Sequence, residues 1–124
     1  MPQLTLTLSK NIDLKASDFE SCFSQIHKAL EIVPQMDVST IHSGAILEDF
    51  SYIGVGNPKT ARVYLQLYWL ESPERILIRK SLGNSLMSIL KTTIVYDVIN
   101  QGLLCTPRVK IANLGELHEK YFIG

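Results

Sequence analysis

Polar and apolar positions alternate near the start of the chain: Leu4, Leu6 and Leu8 are interleaved with Gln3, Thr5 and Thr7. Period two predicts a half-buried strand. The period then lengthens, with Phe19, Cys22, Phe23, Ile26, Leu30 and Val33 recurring at helical intervals along one face. Ser17, followed three residues later by Glu20, fits a capping box at the start of this helix, and Pro34 is expected to end it. Residues 38–46 read as a second strand. Residues 52–59, with Gly54, Gly56, Asn57 and Pro58, read as a turn.

The same order recurs in the second half. Residues 61–69 give the clearest strand, with Val63, Leu65, Leu67 and Trp69 on one face and Tyr64 and Tyr68 on the other. Ser72-Pro73-Glu74 is a helix start: a Ser cap, Pro at the first helical position, and Glu beside the positive end of the dipole. The helix is expected over residues 73–98, with Leu82, Leu86, Ile89, Leu90 and Ile94 in its apolar stripe and Gly102 beyond its end. Residues 108–112 form a short final strand. The tail holds Leu117, Tyr121, Phe122 and Ile123, too apolar to lie wholly in solvent.

Strand–helix–strand therefore occurs twice, and helices between strands suit right-handed crossovers. The expected architecture is α+β: two βαβ units forming one four-stranded mixed sheet, with two helices on one face. A length of 124 residues suits a single domain spanning 1–124, its halves meeting near residues 58 and 59. The second sheet face then lacks a cover within the chain, which argues for self-association.

Composition sharpens this picture. Apolar residues make up 46% and charged residues only 19%, as expected of a chain that hides surface against copies of itself. Twelve basic and twelve acidic residues give zero net charge, which argues against a nucleic-acid footprint. No apolar run reaches the length of a membrane span, and the N-terminus lacks the pattern of a signal peptide. Two distant cysteines, Cys22 and Cys105, show neither a metal motif nor a disulfide framework, so a reducing cytoplasm is the expected home.

Most catalytic chemistries find no support. His27, His42 and His118 lack ligand spacing, so no metal is expected. Gly54-Val55-Gly56 is not followed by a helix and fails as a dinucleotide fingerprint, so no cofactor is expected. Pro2 remains. Removal of Met1 would leave a secondary amine at the start of a strand. An α-amino group ordinarily titrates near about 7.7–8.0, and burial or a neighbouring cation lowers that value. The product is a neutral base at working pH, fit to move a proton along an enol or keto acid. The structural alternative is that Pro2 merely opens a strand, where its missing N–H does no harm.

The opening Met-Pro-Gln-Leu-Thr-Leu-Thr-Leu-Ser-Lys-Asn-Ile resembles the start of the tautomerase superfamily, in particular the 5-carboxymethyl-2-hydroxymuconate isomerases. The stretch containing Tyr64, Arg79, Gly83, Leu86, Leu90, Lys91 and Thr92 resembles their third strand and second helix. The resemblance implies a homotrimer of β-α-β-β-α-β subunits. It also implies Pro2 as catalytic base on a small unsaturated carboxylate, with arginines holding the substrate. Where the isomerases carry an arginine on the second strand, this chain has Ile41-His42-Ser43. The substrate-binding candidates are therefore His42, Arg75 and Arg79, while Arg62 has no spacing argument in its favour. The alternative function is a catalytically inactive trimer that binds a ligand or serves a structural role on the same scaffold.

Overall fold

The computed structural model describes residues 2–114, so His118 and the apolar tail positions lie outside the described residues. Strand β1 spans Gln3–Leu8, helix α1 Ala16–Leu30 and strand β2 His42–Leu47. Strands β3 (Thr60–Ala61) and β4 (Val63–Trp69) follow, then helix α2 (Pro73–Leu90). Helix α2 runs on through a π-helical turn, Lys91–Val95, into α3 (Tyr96–Asn100). Short strand β5 (Leu104–Cys105) and strand β6 (Arg108–Asn113) complete the described chain.

The main sheet has the order β2-β1-β4-β6. Strands β1 and β2 are parallel, β1 and β4 antiparallel, and β4 and β6 parallel. This is the mixed four-stranded arrangement of two βαβ units. A second pairing, β3 with β5, sits beside it.

Alternation along the central strands places Leu4, Leu6, Leu8, Val63, Leu65, Leu67 and Trp69 on one buried face. Helix α1 adds Cys22, Ile26 and Leu30, and the α2 rod adds Leu82, Leu86, Leu90, Ile94 and Val98. Those last five residues lie four apart. At 3.6 residues per turn, each such step overshoots the axis line by about 40°. The wider turn at Lys91–Val95 takes up the accumulated excess and keeps Ile94 and Val98 on the core side. Gly102, at φ 82°, then turns the chain away from the helix.

Four local expectations are corrected. Helix α1 is capped at Lys15, not Ser17: the Asp18 carboxylate accepts the Lys15 backbone N–H at 2.8 Å. A carboxylate at the third helical position holds that N–H more strongly than a serine hydroxyl, so Ser17 falls inside the first turn. The helix ends at Leu30, and Pro34 lies within the following turn instead of terminating it. Residues 38–40 form a 3₁₀ turn, with Asp37 accepting from the Ser39 N–H at 3.0 Å, so strand β2 begins only at His42. The strand expected over residues 61–69 is also interrupted at Arg62, where Ser9 bridges both backbone groups: its N–H donates to the Arg62 carbonyl and its Oγ accepts the Arg62 N–H.

Candidate active site

Pro2 immediately precedes β1 and is buried. Alternation carries it to the face of Leu4, where it helps to line a pocket of about 220 Å³. The other walls are the segment after α1, contributing Gln35, Met36, Asp37 and Thr40, and the β4–α2 connection, contributing Leu70 and Arg75.

Arg75 joins these walls. Its backbone N–H is held by the Ser72 hydroxyl at 3.2 Å, which fixes it in the first turn of α2. Its side chain donates from Nε to the Pro34 carbonyl at 3.1 Å, from Nη1 to Leu70 at 2.8 Å and from Nη2 to Gln35 at 3.1 Å. The guanidinium also stands 5.7 Å from the centre of the buried Trp69 ring. Of the five N–H groups of a guanidinium, two remain for a ligand, one on each terminal nitrogen. Gln35 has φ 58°, the left-handed region, which costs a residue with a side chain about 1–2 kcal/mol. The Arg75 bond to its carbonyl stabilises that conformation. Asp37 is the acid of this pocket, and its carboxylate is engaged by the Ser39 N–H and, at 2.6 Å, by the Ser39 hydroxyl.

Within one chain, the four residues singled out from sequence do not all converge. Pro2 and Arg75 share the pocket. His42 is tied to Pro2 through backbone, its N–H donating to the Pro2 carbonyl at 3.2 Å. Its register partner is Gln3, so its side chain belongs to the open face of the sheet, opposite Pro2 and Leu4. Arg79 lies one turn along α2 from Arg75. It forms an exposed ion pair with Glu71 at 2.8 Å and lines a different cavity with Gly83 and Met87. Arg62 is at the other end of the sheet, with its guanidinium 5.3 Å from the Tyr64 ring centre.

The wall built by residues 35–40 escaped the sequence reading. Its signal was Asp37-Val38-Ser39, an acid poised to cap the next N–H groups, which the β-branched neighbours masked. Both described cysteines are unsuited to nucleophilic chemistry, since burial pushes the Cys22 and Cys105 thiols above their ordinary 9.0. Among the described residues no His, Cys, Asp and Glu cluster could hold a metal ion, and no helix is long and apolar enough to cross a membrane.

Neither a family model nor a curated protein matches the sequence. Solved structures match in three dimensions. A 5-carboxymethyl-2-hydroxymuconate delta-isomerase superposes with a TM-score of 0.73 at 14% identity, over 91% of this chain and 82% of that one. A 5-carboxymethyl-2-hydroxymuconate isomerase from Deinococcus radiodurans R1 gives 0.68 at 18% identity, over 89% and 81%. A fused 4-OT wild-type symmetric trimer gives 0.58 at 11% identity, over 90% and 84%. Identities this low speak to architecture alone, and the chain has the fold of the tautomerase superfamily.

Proposed function

We propose that the protein is an isomerase that moves a proton within a small unsaturated keto or enol carboxylate, with Pro2 as general base once Met1 is removed. The observation that carries this reading is the burial of Pro2 in a pocket it shares with Arg75, at the head of a strand in this fold. Burial disfavours an ammonium, and a guanidinium in the same pocket disfavours it further, so the freed amine is neutral at working pH. The amine takes a proton from one carbon or from the enol oxygen, holds it as an ammonium, and returns it to another carbon. The negative charge that develops on the substrate oxygen is stabilised by that ammonium. The two unengaged N–H groups of Arg75, one on each terminal nitrogen, are available to donate to a substrate carboxylate.

His42 and Arg79, in this reading, act on substrate only through contacts between copies, because neither reaches the Pro2 pocket of its own chain. A homotrimer is part of the proposal: a solved neighbour is a symmetric trimer, and helices α1, α2 and α3 all pack on the core side of the sheet and leave its second face open.

The test begins with the intact mass of natively produced protein, which must lack Met1. Turnover of 2-hydroxymuconate or phenylpyruvate is then followed by absorbance. Pro2→Ala is expected to lower kcat by at least about a hundredfold, the contribution of a placed general base, without loss of assembly. Retained Met1, or an unchanged rate in Pro2→Ala, rejects the mechanism.

A further inference from the structure

The end of the sheet remote from Pro2 carries a second, larger pocket of about 520 Å³. Strand β1 runs from Pro2 towards Leu8, whose register partner is Val63, next to Arg62. Across the sheet, Tyr64 on β4 pairs with Arg108 on β6. Arg62 lies over the ring of Tyr64 at 5.3 Å, and both Arg62 and Arg108 line the pocket. Arg62, at the break between β3 and β4, and Arg108, on β6 beside Tyr64, thus line one pocket.

Their electrostatic situation differs from that of every other described arginine. Arg79 has Glu71, and Arg75 has three carbonyl oxygens. Among the described residues, Arg62 and Arg108 have neither an ion pair nor a side-chain hydrogen bond, and no Asp or Glu lines their pocket. Two like charges converging on one cavity repel, and an anion between them reverses the sign of that interaction. The Thr106 hydroxyl supplies another donor, while Tyr52, Ile53 and Leu104 give the cavity an apolar side.

We propose that this pocket binds an organic anion: an oxyanion head, carboxylate or phosphate monoester, on the forks of Arg62 and Arg108, and an apolar body against Tyr52, Ile53 and Leu104. Planar guanidinium forks match both head groups. The cavity exceeds the needs of a bare oxyanion, which is why the ligand carries a body. Cys105 borders the same space, but its thiol is pushed up by burial, so the site binds without thiolate chemistry.

This proposal is independent of the Pro2 chemistry; Arg62 and Arg108 stand with Tyr64 on the open sheet face, so in the proposed trimer a neighbouring copy borders this site. Its test is calorimetric titration of the full chain with phenyl phosphate, with phenylacetate, and with inorganic phosphate as the head alone. Saturation by phenyl phosphate or by phenylacetate, one per chain and tighter than inorganic phosphate, supports the site and identifies its preferred head. The Arg62→Gln/Arg108→Gln double variant, with unchanged circular dichroism, is expected to weaken that binding at least about tenfold, as loss of charge-assisted bonds requires. Pro2→Ala and Arg79→Gln should leave it intact. Absence of saturation by either organic anion, equal affinity in the double variant, or loss of binding in Pro2→Ala would overturn the assignment.

Discussion

The two ends of the sheet use arginine in opposite ways. At the Pro2 end, Arg75 is held by the carbonyls of Pro34, Leu70 and Gln35, so it fastens two connections together before it meets any ligand. At the far end, Arg62 and Arg108 stand in a common pocket with no acid beside them among the described residues. A guanidinium surrounded by carbonyls is a structural clamp with a little donor capacity left over. A pair of guanidiniums whose N–H groups are unengaged contributes little to folding and keeps its full donor capacity for an anion. Cationic character alone therefore does not mark a ligand site; the number of donors already in use does.

Stability measurements separate the two roles. Arg75→Ala removes a donor from three carbonyls and the cover from the Trp69 ring, and should lower unfolding free energy by about 2 kcal/mol. Arg75→Lys should recover only part of this, since one ammonium cannot reproduce the fork. Arg108→Ala should stay within about 0.5 kcal/mol of the parent, and Arg62→Ala within about 1 kcal/mol, since both are exposed and Arg62 loses only its contact with the Tyr64 ring. Urea unfolding midpoints decide the matter, and equal losses at all three positions would erase the distinction.

Salt sharpens the contrast further. The partners of Arg75 are neutral carbonyls, so the loss caused by Arg75→Ala should be nearly the same at low and at high sodium chloride. Binding of an organic anion at Arg62 and Arg108 should weaken several-fold over the same range, because exposed charges are screened. Salt-sensitive stability at Arg75 would point instead to an unrecognised ionic partner.

The periodic parts of this fold were legible because their signals are local. Leu4, Leu6 and Leu8, and the residues of β4 from Val63 to Trp69, show their buried face through alternation alone, and the α2 stripe shows its own through spacing. The caps were less legible, because neighbours competed for the same role. Ser17 and Asp18 both suit a helix start, and the carboxylate prevailed. Val38 and Thr40 favour a strand, but Asp37 drew the next N–H groups into a turn. Pro2 and Arg75 were nameable as candidates, yet the three carbonyls around Arg75 meet only after the chain folds. The same holds for Arg62, just before β4, and Arg108, at the start of β6, which meet in one pocket only after β4 and β6 pair.

The wall of the Pro2 pocket gives a smaller effect. Asp37→Ala removes the cap of the 3₁₀ turn and should lower stability by about 1 kcal/mol. Asp37→Asn, which keeps an acceptor oxygen, should recover most of it. No comparable loss is expected from Thr106→Ala in the other pocket, whose wall does not depend on that hydroxyl. Thermal unfolding of the three variants makes this comparison.

The smallest expected effect tests whether Arg75 is indeed a clamp. Gln35 occupies the left-handed region at φ 58°, where glycine is at no steric disadvantage. Gln35→Gly relieves about 1–2 kcal/mol of strain and loses up to about 1 kcal/mol through the greater freedom of the unfolded chain, leaving a gain of about 0.5 kcal/mol. The Gln35 carbonyl stays in place, so its bond from Arg75 survives the change. If that bond holds residue 35 in its conformation, the gain should shrink in an Arg75→Ala background, where the segment is free to relax without the substitution. A double-mutant cycle reads the difference as a coupling energy. Equal gains in both backgrounds would show that the turn itself, and not the arginine, sets the backbone at this wall of the pocket.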